Sequence, residues 1–383
     1  MQDQLWAEID LRAIAFNCRQ IKSLTGSQAA LMAAVKANAY GHGAVQVART
    51  VLGQGATHLA VARLEEALEL RHSGIDSEIL LLGPTNPEQV DTLWQHDLTQ
   101  TIFDLQQAKD MAQAARSRSC QLKCHLKLDT GMGRLGLAVQ ALHADQKYNP
   151  AVLPKILEIF AIPELQIQGT FTHLAQADSP ELRHAQGQLD CFQAVLQELQ
   201  QQGIQPGLCH AANSAGILNL QHAYYDLVRP GLILYGLYPE LNQAGLQFKP
   251  AMQIKARIMQ LKSVQPGFTV SYGSTYVAPR KTKIATLPIG YADGYPRILS
   301  GTGQMLVRGQ RATVAGRVCM DQTMLDVGHI PDVQPGDEVV ILGRQGTQEI
   351  RAEELGKLSC SINYEIVSRL SPRVPRIYIY INS

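Results

Sequence analysis

Short apolar runs alternate with amphipathic runs over the first two thirds of the chain. Eight of the short runs have the length and flanks of buried strands. They are ALMAAV (30–35), HLAVAR (58–63), EILLLG (78–83), TQTIFD (99–104), LKCHLKLD (122–129), LQIQGTFTHL (165–174), GLCHAA (207–212) and DLVRPGLILYG (226–236). Most are followed by apolar residues at helical spacing, as in LEEALELRHSG, PEQVDTLWQHD, LQQAKDMAQAAR and ELRHAQGQLDCFQAVLQELQQQG. Ahead of them, Leu11, Ile14, Ala15, Cys18 and Ile21 share one helical face, with Asp10 placed as its N-cap. A further helical stretch is read from Ala138 to Phe160. Strand–helix repetition predicts a parallel sheet, and eight units in roughly 230 residues predict a closed (β/α)8 TIM-type barrel. A doubly wound open sheet is the alternative. No Gly-rich dinucleotide turn follows the first strand, which counts against it.

Past Gly236 the texture changes. QIKARIMQLKSV, FTVSYGSTYV, TKIATLPIG, GQMLVRGQRATVAG, TMLDVG and DEVVILG are short, β-branched and separated by Gly/Pro turns. One helical run, AEELGKLS, interrupts them. The expected organisation is an α/β barrel over 1–243 and a mostly-β domain over 244–383.

A chain of 383 residues is long for one core, which agrees with two domains. With 45% hydrophobic and 17% charged residues it has the balance of a soluble globular protein. A net charge of +1 gives no electrostatic footprint for nucleic acid or an anionic membrane. The apolar runs are too short to span a bilayer. The N-terminal MQDQLWAEID lacks the basic region of a secretory signal. Seven scattered cysteines with no CxxC pair fit reduced thiols in a cytoplasmic protein and no zinc site.

Chemistry in a (β/α)8 barrel sits at the C-terminal ends of the strands. There this sequence places Lys36, with Tyr40 beyond it, Lys127 and Asp129, Arg134 in TGMGRLG, His173, Asn213 and Ser214, and Arg229 with Gly231. In the fifth strand, Lys123, His125, Lys127 and Asp129 share the face opposite the leucines and point inward. A Lys127–Asp129 ion pair is one explanation of that polar face. The cluster as a whole is basic and calls for an anion. Ser214 begins a helical run, where free N–H groups suit a phosphate, and barrels often hold phosphate near strands seven and eight. Lys36, desolvated among cations, is fit to be a free amine and to form a Schiff base with an aldehyde. Aldehyde plus phosphate points to pyridoxal 5'-phosphate (PLP). Cys319 reads as a packing residue, and His42 and His125 as structural histidines.

The stretches AAVKANAYGHG, HLKLDTGMGRLG, GTFTHLAQAD, CHAANSAG, LVRPGLILYG, TVSYGSTY, LPIGYADGYPR, GRVCMDQTMLDVG and SINYEI, in this order, resemble the signatures of bacterial alanine racemase, a barrel-type PLP enzyme. The resemblance covers essentially the whole chain. It implies a homodimer with shared active sites that interconverts L- and D-alanine and supplies D-alanine for peptidoglycan. Lys36 is similar to the cofactor lysine and first base, and Tyr272 to a second base given by the partner subunit. Arg229 is similar to the arginine at the pyridine nitrogen, and His173 to its link with Tyr272. Arg134 resembles the arginine facing the PLP phenolic oxygen and the substrate carboxylate. Lys127 resembles a lysine carbamylated in many members. Tyr40, Asn213, Ser214, Gly231, Leu232 and Tyr364 resemble cofactor-binding positions. Met320 resembles the backbone donor to the substrate carboxylate, and Tyr291 and Asp321 residues that line the way in. A PLP amino-acid decarboxylase, a non-catalytic PLP-handling protein and racemases of other or broader specificity are the rival readings. The arginine at 229 speaks against the decarboxylase, and the β domain against the carrier.

Overall fold

The eight runs read as strands form one parallel sheet. The computed structural model describes residues 4–141, 146–239 and 242–380. The chain divides into two compact units, Ile14–Ala37 with Ala44–Phe248, and Met1–Ala13 with Asn38–Gly43 and Lys249–Ser383.

In chain order the elements begin with β1 (Leu5–Asp10), α1 (Leu11–Thr25), β2 (Ala30–Ala34), α2 (Lys36–Tyr40), α3 (Ala44–Gly53), β3 (His58–Val61) and α4 (Leu64–His72). There follow β4 (Glu78–Leu81), α5 (Val90–Gln95), β5 (Thr99–Ile102), α6 (Leu105–Ser117), β6 (Leu122–Asp129) and the short β7 (Leu137–Ala138). This part of the chain ends with α7 (Leu153–Phe160), β8 (Leu165–Phe171), α8 (Arg183–Gln201), β9 (Leu208–His210), α9 (Ser214–Asn219) and β10 (Leu227–Val228), and all of these elements but β1, the start of α1 and most of α2 belong to the first unit.

The sheet runs β10-β2-β3-β4-β5-β6-β8-β9. Its two ends meet: Asp226 N donates to Cys209 O at 3.0 Å and Arg229 N to Ala212 O at 2.9 Å. The result is the (β/α)8 barrel. Met32, Ala60, Leu80, Phe171 and Leu227, from five of its strands, form one buried cluster. Each large side chain there contributes about 1.5–3 kcal/mol. The β6–β8 register shifts between Cys124 and His125. There, a Cβ on Gly169 would lie 2.6 Å from His125 Cε1, so only glycine leaves room for that imidazole.

Local signals explain the helix starts. Asp10 accepts from Arg12 N at 2.9 Å and Ala13 N at 3.3 Å, the cap expected for α1. Asp104 caps α6 through Gln106 N and Gln107 N. The helical stretch expected over 138–160 is shorter than read. Ala138 is in β7, and the α-helix begins only at Leu153, after a 3-10 turn that starts at Pro150. Residues 142–145 of that stretch lie outside the described residues.

The other unit is mostly β. It contains β11 (Met252–Arg257), β12 (Gln260–Val264), β13 (Thr269–Val270), β14 (Tyr276–Val277), β15 (Thr282–Leu287) and β16 (Gln304–Val307). Then come β17 (Gln310–Val314), β18 (Thr323–Asp326), β19 (Glu338–Gln345), β20 (Gln348–Ile350), α10 (Ala352–Leu358), α11 (Asn363–Ser368) and β21 (Arg376–Ile379). Its main sheet runs β12-β15-β18-β17-β16-β19-β11-β1-β21. The earliest strand of the sequence thus lies between β11, antiparallel to it, and β21, parallel to it. Among the described residues no helix is long and apolar enough to cross a membrane.

Candidate active site

Strand β2 ends at Ala34 and the chain then turns left. Ala37, Asn38, Ala39 and Tyr40 have φ of 51°, 52°, 52° and 54°. Four successive non-glycine residues in this region cost about 1–2 kcal/mol each relative to a right-handed turn. Such strain persists where surrounding structure holds it, and it is concentrated at functional sites. The turn starts at Lys36, which is half-buried. Burial first, and Arg134 second, lower the Lys36 pKa from the ordinary lysine value, while Glu66 opposes them.

Lys127 lies on the inward face of β6, buried, with Nζ 5.6 Å from the centroid of the Phe171 ring. Burial, then Arg134 and Arg229, push it down to about 8. The Lys127–Asp129 ion pair does not form. Asp129 Oδ1 accepts instead from the backbone N–H groups of Gly131, Met132 and Gly133 at 2.9, 2.9 and 3.1 Å, and Oδ2 from Arg134 N at 3.2 Å. A carboxylate whose acceptors are filled by four amides fixes the TGMGR loop rather than neutralising a lysine. The side chains of Lys36, Lys127 and Arg134 make no ion pair or hydrogen bond among the described residues.

Arg229 is buried and sits between neutral acceptors. It donates to His210 Nδ1 at 2.6 Å, Thr172 O at 2.6 Å and Ala211 O at 3.0 Å, and it approaches His173 Nδ1 at 3.4 Å. Burial pushes its pKa down to about 9, which leaves it charged at neutral pH. His125, which the sequence marks as structural, has its Nδ1 2.9 Å from His210 Nε2. His210 was not singled out. Its role comes from two contacts, to Arg229 and His125, that no local spacing announces. His173 is held well below the ordinary histidine value by burial and then by Arg229, Arg134, Lys127 and Lys36.

At the end of β9, Asn213 caps α9 by accepting from Gly216 N at 2.9 Å, and its Nδ2 donates to Leu174 O at 3.1 Å. Ser214 Oγ accepts from Gly231 N at 2.9 Å, and its O–H donates to nothing among the described residues. Leu232 follows Gly231 and opens a 3-10 turn ending at Tyr235, whose hydroxyl donates to Ala34 O at 2.8 Å.

The β unit carries the remaining residues. Tyr272 is 70% exposed, between Ser271 (φ 67°) and Gly273 (φ 71°). With Ser271, Cys319, Met320, Asp321 and Gln322 it lines a cavity of about 450 Å³. The loop bearing Tyr291 is stitched to the loop bearing Met320: Tyr291 N donates to Cys319 O at 3.1 Å and Ala292 N to Met320 O at 3.0 Å. A Cβ on Gly290 would lie 2.2 Å from Met320 O, so glycine permits this approach. The Met320 N–H has no partner among the described residues. Asp321 pairs with Arg373 at 2.8 Å. The rings of Tyr40 and Tyr364 have centroids 6.3 Å apart. Cys319 is half-buried beside Ser271 Oγ at 3.5 Å, and all seven cysteines are unpaired.

Residues 9–239 match the family described as alanine racemase, N-terminal domain, and residues 251–378 match alanine racemase, C-terminal domain. The chain belongs to the alanine racemase family. An alanine racemase of Desulforamulus reducens is 48% identical over 381 residues, covering 99% of this chain and 100% of that protein. One from Carboxydothermus hydrogenoformans is 46% identical, covering 98% and 99%. Among solved structures, the Bacillus anthracis alanine racemase with bound L-Ala-P superposes with a TM-score of 0.92 at 36% identity, covering 99% of this chain and 96% of that one. The Clostridium difficile alanine racemase in complex with cycloserine superposes with a TM-score of 0.90 at 34% identity, covering 99% and 96%. The barrel followed by a mostly-β domain is the alanine racemase fold. In the barrel unit the structure brings Lys36, Lys127, Arg134, His173 and Arg229 into mutual electrostatic influence. In the β unit it gathers Tyr272, Met320 and Asp321 around one cavity.

Proposed function

We propose that this member of the alanine racemase family interconverts L- and D-alanine by moving the α-proton between two bases, with PLP as cofactor. The observation that carries this reading is a cluster of cations that makes no ion pair among the described residues: Lys36, Lys127 and Arg134 form none, and the hydrogen bonds of Arg229 go to neutral acceptors. Such a donor set suits an anionic aldehyde. Lys36 Nζ is the amine to bind it, and its lowered pKa favours the free base. Tyr40, Ser214, Gly231 and Tyr364 are assigned to its phosphate end, and Asn213 and Leu232 to cofactor binding. PLP supplies the electron-withdrawing ring that makes the α-proton removable.

The chain's own residues set the outcome. Lys36 Nζ takes or returns the proton on one face of the α-carbon, and the Tyr272 hydroxyl of the partner subunit does so on the other. An exposed Tyr272 fits a side chain that works in a neighbour. Arginine only donates, so Arg229 keeps its proton; set against the pyridine nitrogen of a bound PLP it would leave that nitrogen unprotonated, which would weaken electron withdrawal and disfavour transamination. His173, 3.4 Å from Arg229, is assigned as the link between that arginine and Tyr272 of the partner subunit. Arg134 and the free Met320 N–H are the donors for the substrate carboxylate, with Tyr291 and Asp321 along its way in. A carbamate on Lys127 would face Arg134 as an anion. We assign the protein to the cytoplasm as a homodimer with shared sites, supplying D-alanine for peptidoglycan, with no nucleic-acid or membrane partner.

The test is incubation of the protein and PLP with L-alanine, followed by chiral chromatography. D-alanine rising toward an equal mixture, with total alanine constant, is expected. A protein that binds PLP yet yields no D-alanine overturns the reading and brings the decarboxylase and carrier alternatives forward.

A further inference from the structure

Glu66 lies on α4, outside every residue assigned above, and its carboxylate joins two segments. Oε1 accepts from Ala37 N at 2.6 Å. Oε2 accepts from Ala62 N at 2.7 Å and Arg63 N at 3.1 Å. One side chain therefore ties the residue immediately after Lys36 to the start of α4. Ala37 is also the first residue of the left-handed turn, at φ 51°. No glycine relieves the strain between Ala37 and Tyr40. The turn needs an external hold, and a charge-assisted hydrogen bond at its first amide is a strong one. Glu66 is also the acid that opposes burial and Arg134 at Lys36.

We propose that Glu66 is a positioning residue for Lys36: by holding the Ala37 amide it maintains the left-handed turn that aims the lysine into the barrel mouth. This rests on the reading of Lys36 as the cofactor lysine. Glutamine at 66 offers one acceptor oxygen where two are in use, and turns an N–H group toward N–H groups. It cannot serve Ala37 and the α4 amides together.

The experiment uses the full chain freed of cofactor, mixed with PLP, reduced with borohydride at intervals, and analysed by peptide mass for PLP fixed on Lys36. Glu66→Gln should slow the labelling of Lys36 by about tenfold or more, as a misplaced reacting group does. Ala37→Gly, which accepts positive φ freely, should restore most of that rate when added to Glu66→Gln. A residue that merely caps α4 would not be rescued from position 37. If Glu66→Gln does not fold, Ala37→Val serves with Glu66 intact. A β-branched residue at positive φ opposes the turn and should slow labelling in the same way. Wild-type labelling rates in Glu66→Gln, or in Ala37→Val where Glu66→Gln does not fold, or no rescue by Ala37→Gly, overturn the proposal. Wild-type protein that takes up no label at Lys36 overturns the cofactor reading itself, which separates the two failures.

Discussion

Arg229 Nη1 lies 2.6 Å from His210 Nδ1, and because an arginine can only donate, that nitrogen of His210 carries no proton. His210, neutral, then holds its hydrogen on Nε2 and directs it to His125 Nδ1, 2.9 Å away. The barrel floor beneath Arg229 is thus a chain of donors pointing one way, with both imidazoles uncharged. Protonating either ring would break the order.

That order has a pH signature. Burial first, then His58 and Arg229, holds His125 down to about 3, and His210 lies well below the ordinary range for the same leading reason. The folded value lies below the unfolded one, so the unfolded chain binds protons that the native protein refuses. The contribution to stability is complete above pH ~6.5 and is lost as pH falls toward the folded value, by up to about 1.4 kcal/mol per pH unit for each histidine. Urea midpoints measured from pH 7 to 4 should fall, and His125→Gln should flatten part of the slope. An identical slope in the variant would remove His125 from the account.

Replacing Arg229 by lysine keeps a charge and discards the fork. The carbonyls of Thr172 and Ala211 and the Nδ1 of His210 cannot all be served by one ammonium. Each buried acceptor left bare costs about 1–3 kcal/mol. Thermal unfolding should show a loss of several kcal/mol, together with weaker PLP retention.

The two proposed bases should separate cleanly. Tyr272→Phe touches an exposed side chain, so the melting temperature should stay within a degree or two. Exchange of the α-hydrogen with deuterated water should then be lost mainly from one alanine enantiomer. Lys36→Ala should lose PLP attachment and both directions. A mixed population of Lys36→Ala and Tyr272→Phe subunits should recover up to about a quarter of wild-type activity, since half the dimers would hold one intact site. Equal, small losses in both directions would remove the two-base assignment, and no recovery on mixing would remove the shared site.

Lys127 should respond to carbon dioxide. With its pKa near 8 it presents a free amine above that pH and an ammonium below it. Native mass spectrometry should find a carbamate whose occupancy grows with bicarbonate and alkalinity and vanishes on acidification. Lys127→Ala should show none.

Gly290→Ala should spare the fold of the sheet and damage the substrate end. The added methyl would lie 2.2 Å from Met320 O and push that loop away. KM for alanine should rise more than kcat falls, and a steady KM would contradict the role given to Met320.

Much of the barrel was legible because most of its strands are short, largely apolar runs bounded by turn residues. LKCHLKLD even showed which face carries the polar groups, and the structure places Lys127 on it. What escaped was set by distant partners. β1 was not read as a strand because both its neighbours come from the far end of the sequence. Asp129 looked like a partner for Lys127, whereas the following loop folds back onto it. The left-handed run from Ala37 to Tyr40 has almost no propensity signal, because alanine and tyrosine ordinarily avoid that region and asparagine enters it as a single residue rather than in a run of four. His210 and Glu66 carry ordinary local patterns, and only the folded contacts give them work.

The position of β1 bears on how the protein is made. Trp6, Ala7 and Ile9 leave the ribosome long before their partners, for both edges of their strand are filled by segments beginning at Met252 and Arg376. During synthesis this strand is an unpaired apolar edge for most of the time the chain is growing, a hazard that chaperones would be expected to cover. A transcript cut short before Arg376 would leave one edge open for good. Quality control would then have the open edge of β1 by which to recognise a truncated chain.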